Sequence, residues 1–149
     1  MILYLDSSAL VKRYVAEPGS DDVVRLIAEA RVAGTSLIAR SEIAAALAKA
    51  VRVKLLSRDD ASAALKAFRA QCPDLVRVQL TEALVADADA LAWTHALRGY
   101  DAVHLASALF WQDALGGPVT VATFDRQLWD GAQRSNLPVF PTAWPHRRA

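Results

Sequence analysis

The stretch MILYLDSSALVKRY (residues 1–14) opens the chain with an apolar run and ends that run at a carboxylate, Asp6. The segment ILYL (2–5) has the length and composition of a short buried strand. The residues after Asp6 indicate a helix that Pro18 and Gly19 end. In an open parallel sheet the ligand crevice lies beyond the carboxyl ends of the strands. An acid that directly follows such a strand is therefore a candidate functional residue.

The rest of the chain alternates between strands and helices, with no linker, internal repeat or low-complexity segment. The hydrophobic spacing and the capping residues predict helix 20–33, which Gly34 ends, strand 35–39, helices 41–56 and 57–72, strand 75–80, helices 81–99 and 100–117, strand 119–124, helix 125–136 and strand 138–140. This order predicts an α/β fold with a mainly parallel central sheet of about five strands flanked by helices. We expect one domain over residues 1–149, in which residues 142–149 form a tail.

Composition argues against several classes of protein. A chain of 149 residues, of which 54% are hydrophobic and many are Ala, suits one domain with tightly packed helices. Its uncharged apolar stretches are shorter than the ~20 residues that a membrane span needs, and Asp6 interrupts the first of them, which argues against a signal peptide. A lone Cys72 excludes an internal disulfide and a thiolate metal site. We therefore expect a cytoplasmic protein that does not bind a membrane.

Four acidic residues fall at junctions that a parallel sheet would bring to one edge. Asp6 and Asp125 directly follow predicted strands, and Glu42 lies near the start of the helix after the second strand. Asp101 stands in the first turn of a later helix and is the least constrained of the four. Any one of them is more often a helix cap than a functional group, because helix N-termini favour acids. Four carboxylates at one edge repel one another, however, and a divalent cation removes that repulsion.

The ligand type of such a cluster selects the metal. Carboxylates favour hard cations such as Mg²⁺ or Mn²⁺, whereas zinc prefers His and Cys, which are scarce here. A site of this kind supports phosphodiester hydrolysis, because it shields the charge that develops in an in-line displacement. The net charge is +1, but without the four acids 12 acidic residues remain against 17 Lys and Arg. The remaining surface is therefore mildly suited to an anionic polymer.

Several neighbouring residues have both a structural and a functional interpretation. Ser7 and Ser8 lack the G-x-S-x-G context and the His partner of a nucleophile, so we interpret them as caps or as hydrogen-bond donors to Asp6. Thr123 lies two residues before the last acid and would orient it if the strand continues, although strand propensity explains Thr123 equally well. His104 is better explained as a packed helix residue than as part of the site. Four basic residues suit either phosphate binding or a solvated surface: Lys12, Arg13, Arg40 and Arg98.

Four segments together carry a family resemblance: LDSSALVKRYV (5–15), SEIAAALAKA (41–50) with Glu42, LRGYDAVHLASAL (97–109) and ATFDRQLWDGA (122–132). In this order and spacing they resemble a PIN domain, specifically the VapC-type toxins of bacterial and archaeal toxin–antitoxin pairs. The resemblance spans nearly the whole chain. It implies a Mg²⁺- or Mn²⁺-dependent endoribonuclease that cleaves RNA, is held inactive by a VapB-like antitoxin and usually forms a homodimer.

The resemblance also implies roles for individual residues. The catalytic and metal-binding acids of the family match four residues of this chain: Asp6, Glu42, Asp101 and Asp125. Members of the family differ in which acids contact the metal directly, so Asp6 and Asp101 are the firmer ligands and the other two can act through water. The family's Ser or Thr before the last acid matches Thr123. Ser7 and Thr123 are the candidates that would support the acids by hydrogen bonding.

The implied partner is a small antitoxin whose C-terminal segment lies beside the acids. A carboxylate cluster without metal is a natural target for an Arg of that segment, because a guanidinium binds carboxylates bidentately. Apolar side chains of the segment would pack against the early helices, around Leu10, Val11, Tyr14 and Leu26. Each of these four residues is, taken singly, better explained as part of the core.

Other functions fit the sequence less well. A haloacid-dehalogenase-like phosphatase needs a second Asp where this chain has Ser8, and a receiver domain needs a late Lys that VTVATFDRQ (119–127) does not contain. Glycine-rich phosphate-binding motifs are absent from the sequence. The alternative from another class is a PIN-like module that binds a protein partner without catalysis. The intact set of four acids argues against that alternative.

Overall fold

A five-stranded sheet lies at the centre of the molecule, which a computed structural model describes over residues 1–145. Its strands are β1 (Ile2–Leu5), β2 (Val32–Ser36), β3 (Val76–Val78), β4 (Val119–Ala122) and β5 (Val139–Phe140). They lie in the order β3-β2-β1-β4-β5, and every neighbouring pair is parallel. The predicted α/β fold with a parallel central sheet is therefore confirmed.

Seven helices flank these strands within residues 1–145: α1 (Ser7–Leu10), α2 (Ser20–Glu29), α3 (Ala39–Arg52), α4 (Arg58–Gln71), α5 (Glu82–His95), α6 (Gly99–Leu115) and α7 (Arg126–Arg134). Short 3₁₀ turns follow α1 (Val11–Arg13) and α4 (Cys72–Asp74). The start of α4 is fixed by Ser57, whose hydroxyl accepts the N–H of Asp60. Across the described part of the chain, no helix has the length and apolarity that a membrane span requires.

The sheet separates two apolar cores, and β1 contributes to both. Leu3 and Leu5 point to one face, where they join Ile43 of α3 and Phe68 of α4. Tyr4 points to the opposite face, which α6 covers. All of β1 is buried, as expected for a parallel strand with helices on both faces. Each fully buried aliphatic side chain contributes roughly 1.5–3 kcal/mol relative to an exposed one, so this strand is anchored firmly beneath the residue that follows it.

The order of the strands creates a crevice beside β1. From β1 the chain moves outward through β2 to β3, and it then returns to β4 and β5 on the other side. Parallel α/β sheets bind ligands at such a reversal, outside the carboxyl ends of the two central strands. Asp6 directly follows β1, and Asp125 lies just beyond β4. Both acids therefore reach this edge, as the sequence predicts.

One boundary differs from the predicted one because of a contact between distant segments. The predicted helix 20–33 ends at Glu29, since the N–H of Arg31 donates to the carbonyl of Met1 at 2.9 Å and the chain enters β2. The predicted strand 35–39 is correspondingly found three residues earlier. Gly34 therefore does not end a helix but lies inside β2, paired with β1.

Other helix boundaries also differ, and the helix predicted over 41–56 is found at Ala39–Arg52. The helix expected to run to Pro18 consists only of α1 and the 3₁₀ turn after it. The helix expected to end at Gly99 stops at His95, because Ala96 adopts a left-handed conformation with φ 52°. Gly99 is instead the first residue of α6.

The expected tail begins with residues that contact α7. Trp144 packs edge-on against Trp129, with ring centroids 5.6 Å apart. The Trp129 indole N–H donates to the carbonyl of Pro141 at 2.7 Å. Residues 146–149 of the expected tail lie outside the described residues, and the assignment of one domain to residues 1–149 stays a prediction.

Candidate functional site

A pocket of about 220 Å³ lies at the carboxyl ends of β1 and β4. All four acids singled out from the sequence line it, and its walls are formed by Asp6, Ser7, Ser8, Glu42, Arg98, Tyr100, Asp101, His104 and Asp125. Four other pockets, of about 360 to 600 Å³, are larger, but each is lined by a single acidic residue. Those of about 600 and 400 Å³ are grooves along the early helices. The four acids therefore identify the pocket of about 220 Å³ as the candidate site.

Asp6 is the most enclosed of the four acids. It caps α1, where its carboxylate accepts the N–H of Ala9 at 3.0 Å. The hydroxyls of Ser8 and Thr123 donate to the same carboxylate, each at 2.7 Å. Only 3% of Asp6 is exposed. This burial raises the pKa of the Asp6 carboxyl, although the charge of His104 and the hydrogen bonds oppose the effect.

The hydroxyl of Thr123 joins two of the acids. It donates to Asp6 and accepts the backbone N–H of Asp125 at 3.0 Å. The sequence predicts that Thr123 orients the carboxylate of Asp125. Its hydroxyl instead contacts the backbone N–H of Asp125 and orients the carboxylate of Asp6. Ser7 lines the pocket, but within residues 1–145 the serine that donates to Asp6 is Ser8.

Glu42 is positioned by a buried chain of hydrogen bonds. Its Oε1 lies 2.6 Å from Nε2 of His104, and Nδ1 of the same ring lies 2.7 Å from the hydroxyl of Tyr4. His104 is only 2% exposed. Burial alone would lower the pKa of His104, but the hydrogen bond to Glu42 and the charges of the surrounding acids raise the pKa overall. The imidazole therefore favours a positive charge beside the acids.

Arg98 bridges the remaining two acids. Its Nε donates to Asp101 at 2.8 Å, and its Nη2 donates to Asp125. The side chain of Arg98 is 63% exposed, whereas those of Asp101 and Asp125 are 10% and 25% exposed. Burial raises the pKa of Asp101, the hydrogen bond from Arg98 opposes that effect, and the charge of Asp125 reinforces it. A guanidinium on the solvent side thus supplies the second cationic group of the site.

The sequence interpretation of His104 and Arg98 is incomplete. His104 is a packed helix residue, as expected, but its ring also contacts Glu42. Arg98 has a specific pair of partners rather than a solvated head group. Arg98 lies three residues before Asp101, and His104 lies three residues after it. Residues three apart on a helix share a face, so this spacing indicated that both side chains lie near Asp101. Tyr4 offered no such signal, since it reads as an ordinary strand residue.

The acids fit a hard divalent cation by the type of their oxygen donors, because carboxylates are ligands that Mg²⁺ and Mn²⁺ prefer. They do not yet have the spacing of a metal site: within residues 1–145, no three His, Cys, Asp or Glu side chains could hold a metal ion as they stand. Arg98 engages Asp101 and Asp125, and His104 engages Glu42. Three of the four acids thus already contact a basic side chain of the same protein.

Comparison with known proteins agrees with this fold. The chain is 38% identical over 141 residues to Ribonuclease VapC45 of Mycobacterium tuberculosis (strain CDC 1551 / Oshkosh), which covers 94% of this chain and 95% of that protein. The fold of the present chain resembles that of FitAB bound to an IR36 DNA fragment. The TM-score is 0.66, the identity is 18%, and the match covers 99% of this chain and 100% of that one. The fold also resembles that of VapBC2 of Rickettsia felis bound to a promoter DNA fragment, with a TM-score of 0.62, 15% identity and coverage of 93% and 97%. The sequence model of the PIN domain matches residues 3–133, and this protein therefore belongs to the PIN domain family.

Proposed function

We propose that this protein is a divalent-metal-dependent endoribonuclease and the toxin of a VapBC-type toxin–antitoxin pair. The observation that carries the proposal is the convergence of four acids on one pocket at the reversal point of the sheet. Similarity to Ribonuclease VapC45 over most of the chain supports RNA as the substrate. The proposed reaction is hydrolysis of RNA phosphodiester bonds.

Mg²⁺ is the proposed cofactor, with Mn²⁺ as a close substitute, because carboxylate and water oxygens suit both ions. Asp6 and Asp101 would hold the ion directly, and Glu42 and Asp125 would complete the site directly or through water. When bound, a divalent ion lowers the free energy of the negative charge that develops on the phosphate during in-line displacement. Burial raises the pKa values of Asp6 and Asp101, so ionising these two carboxyls is costly in the metal-free protein. A divalent ion beside them would offset that cost, which supports the assignment.

The residues around the acids hold the carboxylates in place. Hydrogen bonds from two hydroxyls and one backbone N–H fix the carboxylate of Asp6. The ring of His104 fixes Glu42, and the hydroxyl of Tyr4 fixes that ring. Groups held in this way need little rearrangement during a reaction, and such preorganisation is where electrostatic catalysis has its largest effect.

We propose a VapB-like antitoxin as the protein partner and a homodimer as the assembly of the toxin. The structural relatives FitAB and VapBC2 were solved bound to DNA, and their two-part names support a second protein for this chain as well. The expected contact set needs correction, because Leu10 and Leu26 are buried in the core. Val11 and Tyr14 are half-buried, so these two remain available to a partner.

A PIN-like binding module without catalysis is the alternative function. Such a module has no need of four carboxylates in one pocket, an arrangement that burial and mutual repulsion oppose. Asp6 and Asp101 are nevertheless only 3% and 7% exposed. This arrangement supports a catalytic role over binding alone.

The substitution Asp101→Asn tests the proposed function, because it removes a charge from the pocket while keeping the shape of the side chain. We expect cleavage of a susceptible RNA to fall at least about a hundredfold, with the circular dichroism spectrum of the fold retained. Asp113→Asn, at an exposed position of the same helix, is the matched control and should cleave like the wild type. Wild-type cleavage should also stop in excess chelator and return with Mn²⁺.

Two outcomes would contradict the nuclease proposal. One is full cleavage by Asp101→Asn or by the wild type in excess chelator, which would exclude the metal-dependent mechanism. The other is a wild type that cleaves no RNA with either Mg²⁺ or Mn²⁺, which would favour the binding module.

A further inference from the structure

The pocket contains two basic side chains, and they differ in how firmly they are held. His104 is 2% exposed, and its ring contacts Glu42 on one side and Tyr4 on the other. It cannot leave without disrupting the core. The side chain of Arg98 is 63% exposed and reaches the pocket from the N-cap position of α6. Arg98 is therefore the cationic group that can be replaced.

The guanidinium of Arg98 lies between two acids from different elements. Asp101 belongs to the first turn of α6, and Asp125 caps α7. A planar guanidinium that donates to both carboxylates at once neutralises them together, as a divalent ion would.

We propose that Arg98 is an internal counter-cation of this site: it neutralises Asp101 and Asp125 in the metal-free protein and is displaced from them when a divalent ion binds. The inference rests on the proposed function, since it assumes that these acids bind Mg²⁺ or Mn²⁺. The displaced side chain stays anchored at the start of α6, at the mouth of the pocket. Arg98 therefore acts on metal binding through the two carboxylates that it shares with the ion.

An ordinary surface ion pair would behave differently. Such pairs contribute little to stability, and losing one does not alter the affinity of a separate metal site. Arg98 instead shares both of its carboxylates with the proposed metal site, so two cations compete for the same oxygens. By linkage, removing one competitor strengthens the binding of the other.

Binding of Mn²⁺ to Arg98→Gln, measured by titration calorimetry on the full chain without RNA, tests the proposal. We expect the variant to bind Mn²⁺ roughly threefold to tenfold more tightly than the wild type, the range expected when two charge pairs with a solvent-exposed guanidinium are lost. Arg40→Gln is the matched control. Arg40 is exposed, lies two residues before Glu42 and forms no ion pair among residues 1–145. Its loss removes the same charge and should change the affinity by less than about twofold.

Thermal melting gives a second readout that a purely structural role would not produce. Without metal, Arg98→Gln should melt below the wild type, because Asp101 and Asp125 lose their counter-cation. Saturating Mn²⁺ should then raise its Tm by more than it raises that of the wild type. If the Gln variant does not fold, Arg98→Lys serves the same test, since it keeps the charge but cannot span both acids. It should bind Mn²⁺ more tightly than the wild type, by a smaller factor.

The two proposals fail in distinguishable ways. If the wild type binds Mn²⁺ and the Arg98 variants bind it equally or more weakly, the counter-cation proposal is wrong and the proposed function stands. If the wild type itself binds no Mn²⁺ and gains no Tm from it, both proposals are wrong.

Discussion

The pocket places two basic side chains, His104 and Arg98, beside four carboxylates. His104 and Arg98 each contact at least one acid, yet the pKa values of Asp6 and Asp101 stay raised because burial outweighs these contacts. The balance is therefore incomplete in the metal-free protein. A site in this state loses stability when its acids ionise and regains it when a cation binds.

The pH dependence of stability follows from these pKa shifts. Between the unfolded value of about 4 and the raised folded values, Asp6 and Asp101 bind more protons in the folded protein than in the unfolded chain. Their contribution to the free energy of unfolding therefore falls as pH rises through that window. The raised pKa of His104 acts in the same direction at higher pH. Its contribution is present below about 6.5 and is lost as pH rises through the folded value.

Urea denaturation of the metal-free protein over a series of pH values measures this effect. Asp6→Asn removes one carboxyl with a raised pKa. The free energy of unfolding of this variant should therefore increase relative to that of the wild type as pH rises, and it should be the larger of the two at neutral pH. Asp113→Asn, at an exposed position of α6, should follow the wild-type curve. If the free energy of unfolding of Asp6→Asn changed with pH in the same way as that of the wild type, the pKa of the Asp6 carboxyl would not be raised in the folded protein.

Among the secondary-structure elements, β2 depends on a residue without a side chain. Gly34 pairs with β1 and β3, and a methyl group at this position would lie 2.8 Å from the indole of Trp111 and 3.1 Å from the carbonyl oxygen of Val76. Trp111 is 6% exposed and belongs to the core beneath α6. The glycine therefore lets α6, which carries Asp101 at its other end, lie close against the sheet.

We expect Gly34→Ala to lower the free energy of unfolding by about 1–3 kcal/mol, the usual effect of overfilling a packed core. Gly117→Ala is the control, because nothing lies within 4 Å of a methyl group there. It should leave the urea midpoint close to that of the wild type. A midpoint for Gly34→Ala equal to that of the wild type would mean that the Trp111 ring moves aside without loss.

Gly34 also shows where prediction from sequence stops. The small apolar residues of RVAG (31–34) suit a helix end as well as a strand, and the pairing of Val32 with Ile2 decides between them. The edge positions of Asp6 and Asp125 could be predicted, because each needs only a strand end and one rule of sheet topology. Helix spacing also brings Arg98 near Asp101, three residues on. The contacts of Arg98 with Asp125 and of His104 with Glu42 could not be predicted, since these acids lie 27 and 62 residues away.

The whole molecule offers a partner more than the acid pocket alone. The grooves of about 600 and 400 Å³ share Val15, Ala16 and Leu56 in their walls, so they form one continuous surface along the early helices. Leu55 lines this surface and is 78% exposed, and Val53 beside it is 50% exposed. Exposed apolar residues next to a groove are typical of a binding surface. Under the proposed function, the apolar side chains of the antitoxin would pack here and not against the buried Leu10 and Leu26.

We therefore expect Leu55→Asp to weaken the complex with the antitoxin encoded beside this gene by at least about tenfold, because it places a charge in an apolar interface. RNA cleavage by the mixture should rise accordingly, while the urea midpoint of the variant alone should stay near that of the wild type. Leu115→Asp is the control: Leu115 is 46% exposed and lies at the end of α6 opposite to Asp101. Co-purification and calorimetry of both variants measure the effect. Equal binding by Leu55→Asp and Leu115→Asp would place the antitoxin elsewhere on the toxin. If the protein encoded beside this gene neither binds the wild type nor suppresses its cleavage, the toxin–antitoxin assignment is wrong, while the nuclease proposal stays intact.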